Sequence, residues 1–155
     1  MPADVCLVRF VPCKDEFIPK GARLPTRKAF EPSSDDKLEA QQRGHAVTVS
    51  VWNSRRTTIE QARAIRGTSK PNRAYHLSTD GVRKVAAKQN TTRLVAVTDP
   101  ITESRMPGAW GHCGIEGCDT PSGAQKVTHK AMLDDLAREC DPIEPEPPSA
   151  PPPAT

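Results

Sequence analysis

Val47, Val49 and Val51 alternate with Thr48, Ser50 and Trp52 over residues 46–52, and a period of two is the signature of a β-strand with one buried face. Asn53-Ser54 ends the run. Two further apolar runs read as strands: residues 5–11, stopped by Pro12, and residues 94–97, ended before Asp99-Pro100. Residues 73–77 and 112–116 predict two shorter ones. Between these runs the pattern is helical. Thr57-Thr58-Ile59-Glu60 fits a capping box, with the Thr57 hydroxyl and the Glu60 carboxylate as its two halves, and Gly67 is a natural stop. Ser78-Thr79-Asp80 offers an N-cap for a second helix to about Gln89. Residues 36–43 predict no more than a helical turn.

Near the C-terminus, Ser122-Gly123-Ala124-Gln125 is another capping-box match. The helix after it carries His129, Met132, Leu133, Leu136, Ala137 and Cys140 on one stripe. These elements predict an α+β fold: a small mixed or mostly antiparallel sheet of four or five strands, a long C-terminal helix and two short basic helices. The domain takes residues 1–140. Residues 141–155 hold seven prolines and almost no apolar side chains, so they predict a disordered, Pro-rich tail. Aromatic residues make up 4% of the chain, so the core must be built mainly from Val, Leu, Ile and Ala.

No apolar run is long enough for a membrane span, and Met1-Pro2-Ala3-Asp4 lacks the layout of a signal peptide. Five scattered cysteines predict free thiols in a reducing compartment, hence a cytoplasmic protein.

Charge is unevenly placed. Arg55, Arg56, Arg63, Arg66, Lys70, Arg73, Arg83, Lys84, Lys88 and Arg93 face only Glu60 and Asp80 over residues 55–93, a local balance of +8. The whole chain carries +3, so the remainder carries −5. Arg55 through Lys88 in that set form a candidate basic face. It suits an acidic protein partner or a phosphate backbone, with only Tyr75 nearby for base stacking.

The other chemical cluster is Gly108-Ala109-Trp110-Gly111-His112-Cys113-Gly114-Ile115-Glu116-Gly117-Cys118. His112, Cys113 and Cys118, with His129 or Cys140 as a fourth group, have the donor atoms that zinc prefers. Cys113 and Cys118 sit at the edge of the usual knuckle spacing. Adjacent residues of a strand point to opposite faces, which works against His112 and Cys113 sharing one ion. Cys113 beside a histidine is also a candidate nucleophile, although no third orienting residue is evident. Phosphate-loop, dinucleotide-binding, nucleophile-elbow and zinc-protease motifs are absent from the sequence.

Lys28-Ala29-Phe30, Val49-Ser50-Val51, Thr57 to Ala62, Asp99-Pro100 and Gly111-His112-Cys113-Gly114-Ile115 occur in an order that resembles a loose group of small uncharacterised bacterial proteins. That group shares an AF-x-P start, an LSV strand and a DP…GHxxI ending. Cys113 stands where the group often has alanine. The resemblance implies a compact bacterial domain and no particular activity. The residues themselves favour a non-enzymatic accessory or protein-interaction module that works through the basic face, without a cofactor. A nucleic-acid-binding protein is the alternative, and a zinc-binding or Cys/His enzyme the third reading.

Overall fold

The computed structural model describes residues 4–67, 71–102, 104–119 and 126–143. Its strands are β1 (Cys6–Pro12), β2 (Thr48–Asn53), β3 (Asn72–Ser78), β4 (Val95–Thr98), β5 (His112–Glu116) and β6 (Asp141–Pro142). They form one antiparallel sheet in the order β4-β5-β2-β1-β3-β6. The helices are α1 (Ser34–Arg43), α2 (Ile59–Arg66), α3 (Thr79–Lys88) and α4 (Lys126–Arg138), with single 3-10 turns at Arg27–Phe30 and Ala109–Gly111. The α+β class therefore holds, with an antiparallel sheet. Among the described residues no helix is long and apolar enough to cross a membrane.

Alternation along the strands gives the sheet two different faces. Leu7, Val11, Val49, Val51, Tyr75, Leu77 and Ile115 point to one side, where Phe30, Val82, Val85, Leu133 and Leu136 cover them. Val8, Phe10, Trp52 and Ala74 point to the other, where Ala62 of α2 closes over them with Ile59 and Ile65 beside it. So α3 and α4 lie on one face and α2 on the opposite one. The apolar stripe of α4 is buried as its spacing predicts. The capping box expected at residues 122–125 lies outside the described residues.

Three local outcomes differ from the sequence reading. Thr58 caps α2, not Thr57: its hydroxyl accepts from the Gln61 N–H, and the Gln61 side chain returns the bond to the Thr58 N–H. Thr57 is buried and donates to the Gly108 carbonyl at 2.7 Å, so its hydroxyl is already spent. Residues 34–43 form a full helix rather than a turn. Ser33 and Asp36 make a capping box, and Gly44 ends the helix in the left-handed conformation at φ +69°. Only Ala40 of α1 is buried, so there was no apolar stripe to announce it. Finally, Asp141 and Pro142, counted above with the tail, pair with His76 and Tyr75, and the Ile143 N–H donates to the Ala74 carbonyl. The rest of the expected tail lies outside the described residues.

The pairing of β1 with β2 is short, running only over Leu7–Asn53 and Val8–Trp52. Beyond it the Arg9 guanidinium fills the opening. Its Nη1 donates to the Ser50 carbonyl at 2.9 Å, and its Nε and Nη2 donate to the Ala29 carbonyl at 2.9 and 2.7 Å. Arg9→Met is expected to lower stability by about 2–3 kcal/mol, because it leaves two carbonyls without a donor. Urea denaturation midpoints at constant m-value are the check.

A second polar clamp joins α3 to α4. Asp135 receives Lys88 Nζ at 3.3 Å, Gln89 Nε2 at 3.0 Å and Arg138 Nη1 at 3.1 Å. Burial pushes its carboxyl up, but those hydrogen bonds and the Lys88 and Arg138 charges together outweigh burial and hold it below the ordinary value. Asp135→Asn should therefore cost about 1–3 kcal/mol at pH 7. A depressed folded value means that the contribution is fully present above the unfolded pKa, about 3.9, and is lost as pH falls through the folded value. Denaturation of both proteins at pH 7 and pH 3 should show the difference between them shrinking at the lower pH.

Candidate functional site

The sheet divides the basic stretch. On the α3 side the cations meet acids of the same chain: Arg83 with Asp80, Lys84 with Glu139 at 3.7 Å, Lys88 with Asp135 at 3.3 Å, and Arg93 with Asp119 at 3.8 Å. Arg73 also belongs to that face, with its guanidinium carbon 5.6 Å from the Tyr75 ring centre. On the α2 side, Arg63 and Arg66 stack over Phe10 at 5.4 and 5.0 Å. Arg55 and Arg56 occupy the turn before α2, where the Arg55 side chain reaches the Asp4 carbonyl. Among the described residues Arg55, Arg56 and Arg66 have no carboxylate within ion-pair distance. Lys70 lies outside the described residues. The ten cations therefore form no single face.

The α2 side also presents a tryptophan. The 3-10 turn Ala109–Gly111 backs onto the residues that precede α2. A Cβ on Gly111 would lie 1.9 Å from Thr57 Oγ1 and 3.0 Å from the Arg56 Cβ. This close approach leaves Trp110, 63% exposed, on the outside beside the arginine turn, with Met106 nearby in the chain and 43% exposed. Gly111→Ala should cost about 1–3 kcal/mol through overpacking. Pairing it with Thr57→Ala should cost less than the two separate losses added together, because the overlap with Oγ1 disappears. Thermal melts of the three variants test that coupling.

The expected metal ligands do not converge. His112 and Cys113 point to opposite faces of β5, and the His129 Nε2 contacts the Cys118 carbonyl at 3.0 Å. Among the described residues the one group of three close donors is Glu39, His45 and Asp99. Arg43 pairs with both of its carboxylates, at 3.6 and 4.0 Å, and so already supplies a cation there. The buried thiols suit packing rather than nucleophilic attack. Burial pushes Cys113 up to about 11 and both Cys118 and Cys140 up to about 12.

His112 has a different partner, which the sequence reading missed. Its Nε2 lies 2.6 Å from Ser50 Oγ, and its Nδ1 lies 2.8 Å from the Asp99 carbonyl and 3.5 Å from Asp99 Oδ2. A carbonyl only accepts, so Nδ1 carries a proton and, in the neutral ring, Nε2 is left to accept from the Ser50 hydroxyl. Trp52, paired directly with His112 across the ladder, packs edge-on against the imidazole at 4.8 Å between ring centres. Gly114 sits opposite Ser50 and puts no side chain between ring and hydroxyl. The signal was present in the alternation that sets Ser50 apart from Val49 and Val51, but the β2–β5 register was needed to place His112 beside it.

Ser50 also lines a cavity of about 460 Å³ where β1 and β2 diverge, together with Arg9, Phe10, Trp52, Arg66 and Asp36. Comparison with protein-family models, with curated proteins and with solved structures finds no match to this chain.

Proposed function

We propose that this chain is a cytoplasmic protein-interaction module that docks an acidic segment of a partner protein along α2. The observation that carries this reading is the division of counterions. The α3 cations pair with Asp80, Glu139, Asp135 and Asp119, whereas among the described residues Arg55 and Arg56 have no carboxylate within ion-pair distance and Arg66 has only the more distant charge of Asp36. Cations that form no ion pair keep their charge available to an external carboxylate. Trp110 and Met106 add an apolar anchor, and Trp, Met and Arg are the residue types enriched at protein interfaces.

The same exposed Trp110 favours one second reading, single-stranded nucleic acid, since a tryptophan beside arginines can also stack a base. Two charge-reversal proteins separate the readings. Purified from its own host, the chain should retain a co-purifying acidic protein when Arg83→Glu and Lys84→Glu are combined. It should lose that protein, by at least about tenfold in yield, when Arg55→Glu and Arg66→Glu are combined. An absorbance at 260 nm that falls with added salt would instead mark nucleic acid. Equal retention by both variants would discard the α2 surface.

A further inference from the structure

Ser50 lines the cavity at the β1–β2 opening, and behind it His112 and Asp99 complete the parts of a nucleophilic site. We propose that Ser50 is a nucleophile, activated by His112, that takes an acyl group from a small carboxylic ester bound in this cavity. The geometry supplies each role. Ser50 Oγ and His112 Nε2 are 2.6 Å apart, within the range for proton transfer in the ground state. The Asp99 carbonyl at 2.8 Å fixes the ring so that Nε2 is the accepting nitrogen, and the Asp99 carboxylate at 3.5 Å faces the imidazolium that forms. Arg43, 4.0 Å from Asp99 Oδ1, holds that carboxylate in turn.

The cavity, about 460 Å³, has the size of a small-molecule site. Arg9 lines it. Three of its N–H groups donate to the Ala29 and Ser50 carbonyls, which fixes a positive charge on the cavity wall that favours a developing oxyanion. Trp52 and Phe10 supply apolar wall.

The chemistry balances with an ester and water alone. As the Ser50 Oγ–carbon bond forms, the hydroxyl proton passes to His112 Nε2. The carbon–oxygen bond of the leaving alcohol then breaks, and that proton returns to the departing oxygen. Water next attacks the acyl-serine, gives one proton to Nε2 and releases the carboxylic acid, after which the proton returns to Ser50 Oγ. His112 is the general base and acid. Asp99 is a positioning residue.

A fluorophosphonate probe tests this on the unaltered full chain, because it phosphonylates an activated serine and leaves an ordinary one untouched. The expected result is a single adduct in the intact mass, mapped by peptide sequencing to Ser50. His112→Gln should slow its formation by about 100-fold or more, while the circular dichroism spectrum stays that of the parent. Hydrolysis of p-nitrophenyl acetate should fall to background in Ser50→Ala. Asp99→Asn should lower kcat with little change in KM. The absence of an adduct on the unaltered chain overturns the proposal, whatever the variants do. So does an adduct on another residue, or labelling that is equally fast in a folded His112→Gln protein.

Discussion

Past Val8 and Trp52, the carbonyl of Ser50 turns toward a neighbour that has moved away, and the guanidinium of Arg9 takes the neighbour's place. Arg9 occupies the middle of β1, between Leu7 and Val11 on the core side, where an apolar residue would ordinarily stand. A charged group in that position is tolerated only when fully engaged. Here it spans β2 and the 3-10 turn at Arg27–Phe30, and that turn carries Phe30 into the core. Burial lowers the Arg9 pKa, with the charge of Asp36 acting the other way. The opening that Arg9 props is also the cavity, so the device that lets β1 and β2 separate creates the space that Ser50 lines.

The sheet acts as an electrical partition. Helices α3 and α4 bring basic and acidic residues together across their contact, as in the Asp135 clamp, and that side is nearly self-compensated. Helix α2 packs on the opposite face through Ala62, Ile59 and Ile65, where the nearest acidic helix is α1, whose Asp36 shares a cavity wall with Arg66 without pairing to it. Its last-turn arginines gain some compensation from the helix dipole and from the Phe10 ring. The charge asymmetry visible along the sequence is thus real. Arg83, Lys84, Lys88 and Arg93 are spent internally, because a linear count of charges does not know which helix will sit beside which.

What the sequence disclosed follows the range of the forces involved. Alternation located β2, and the apolar runs located β1 and β4. Gly67 and Ser78 marked a helix end and a helix start, because each of these signals is local. The capping residue of α2 was misplaced by one position because Thr57 is claimed by Gly108, fifty-one residues away. Helix α1 was underestimated because it contributes one buried side chain and is held chiefly by its caps. The strand at Asp141–Pro142 was hidden by prolines, which an edge position accepts. Neither Ser50 nor Asp99 could be joined to His112 before the order β4-β5-β2 was known. A hydroxyl and an imidazole 62 residues apart, with a carboxylate 13 residues before the imidazole, acquire chemistry only through register.

The proposed docking surface and the proposed nucleophilic site share a very short piece of chain. Trp110 and His112 are separated by Gly111 alone, and Gly111 is pressed against Thr57 so closely that no side chain fits. Thr57 in turn lies next to the Thr58 cap of α2 and bonds Gly108 at the start of the same turn. A partner seated on Trp110 and the α2 arginines would therefore bear on a segment with little freedom to yield, and the next residue beyond that segment sets the position of Nε2 against Ser50. Tight packing transmits displacement instead of absorbing it. The glycine that makes this contact possible is consequently the physical link between Trp110 on the surface and the His112–Ser50 pair.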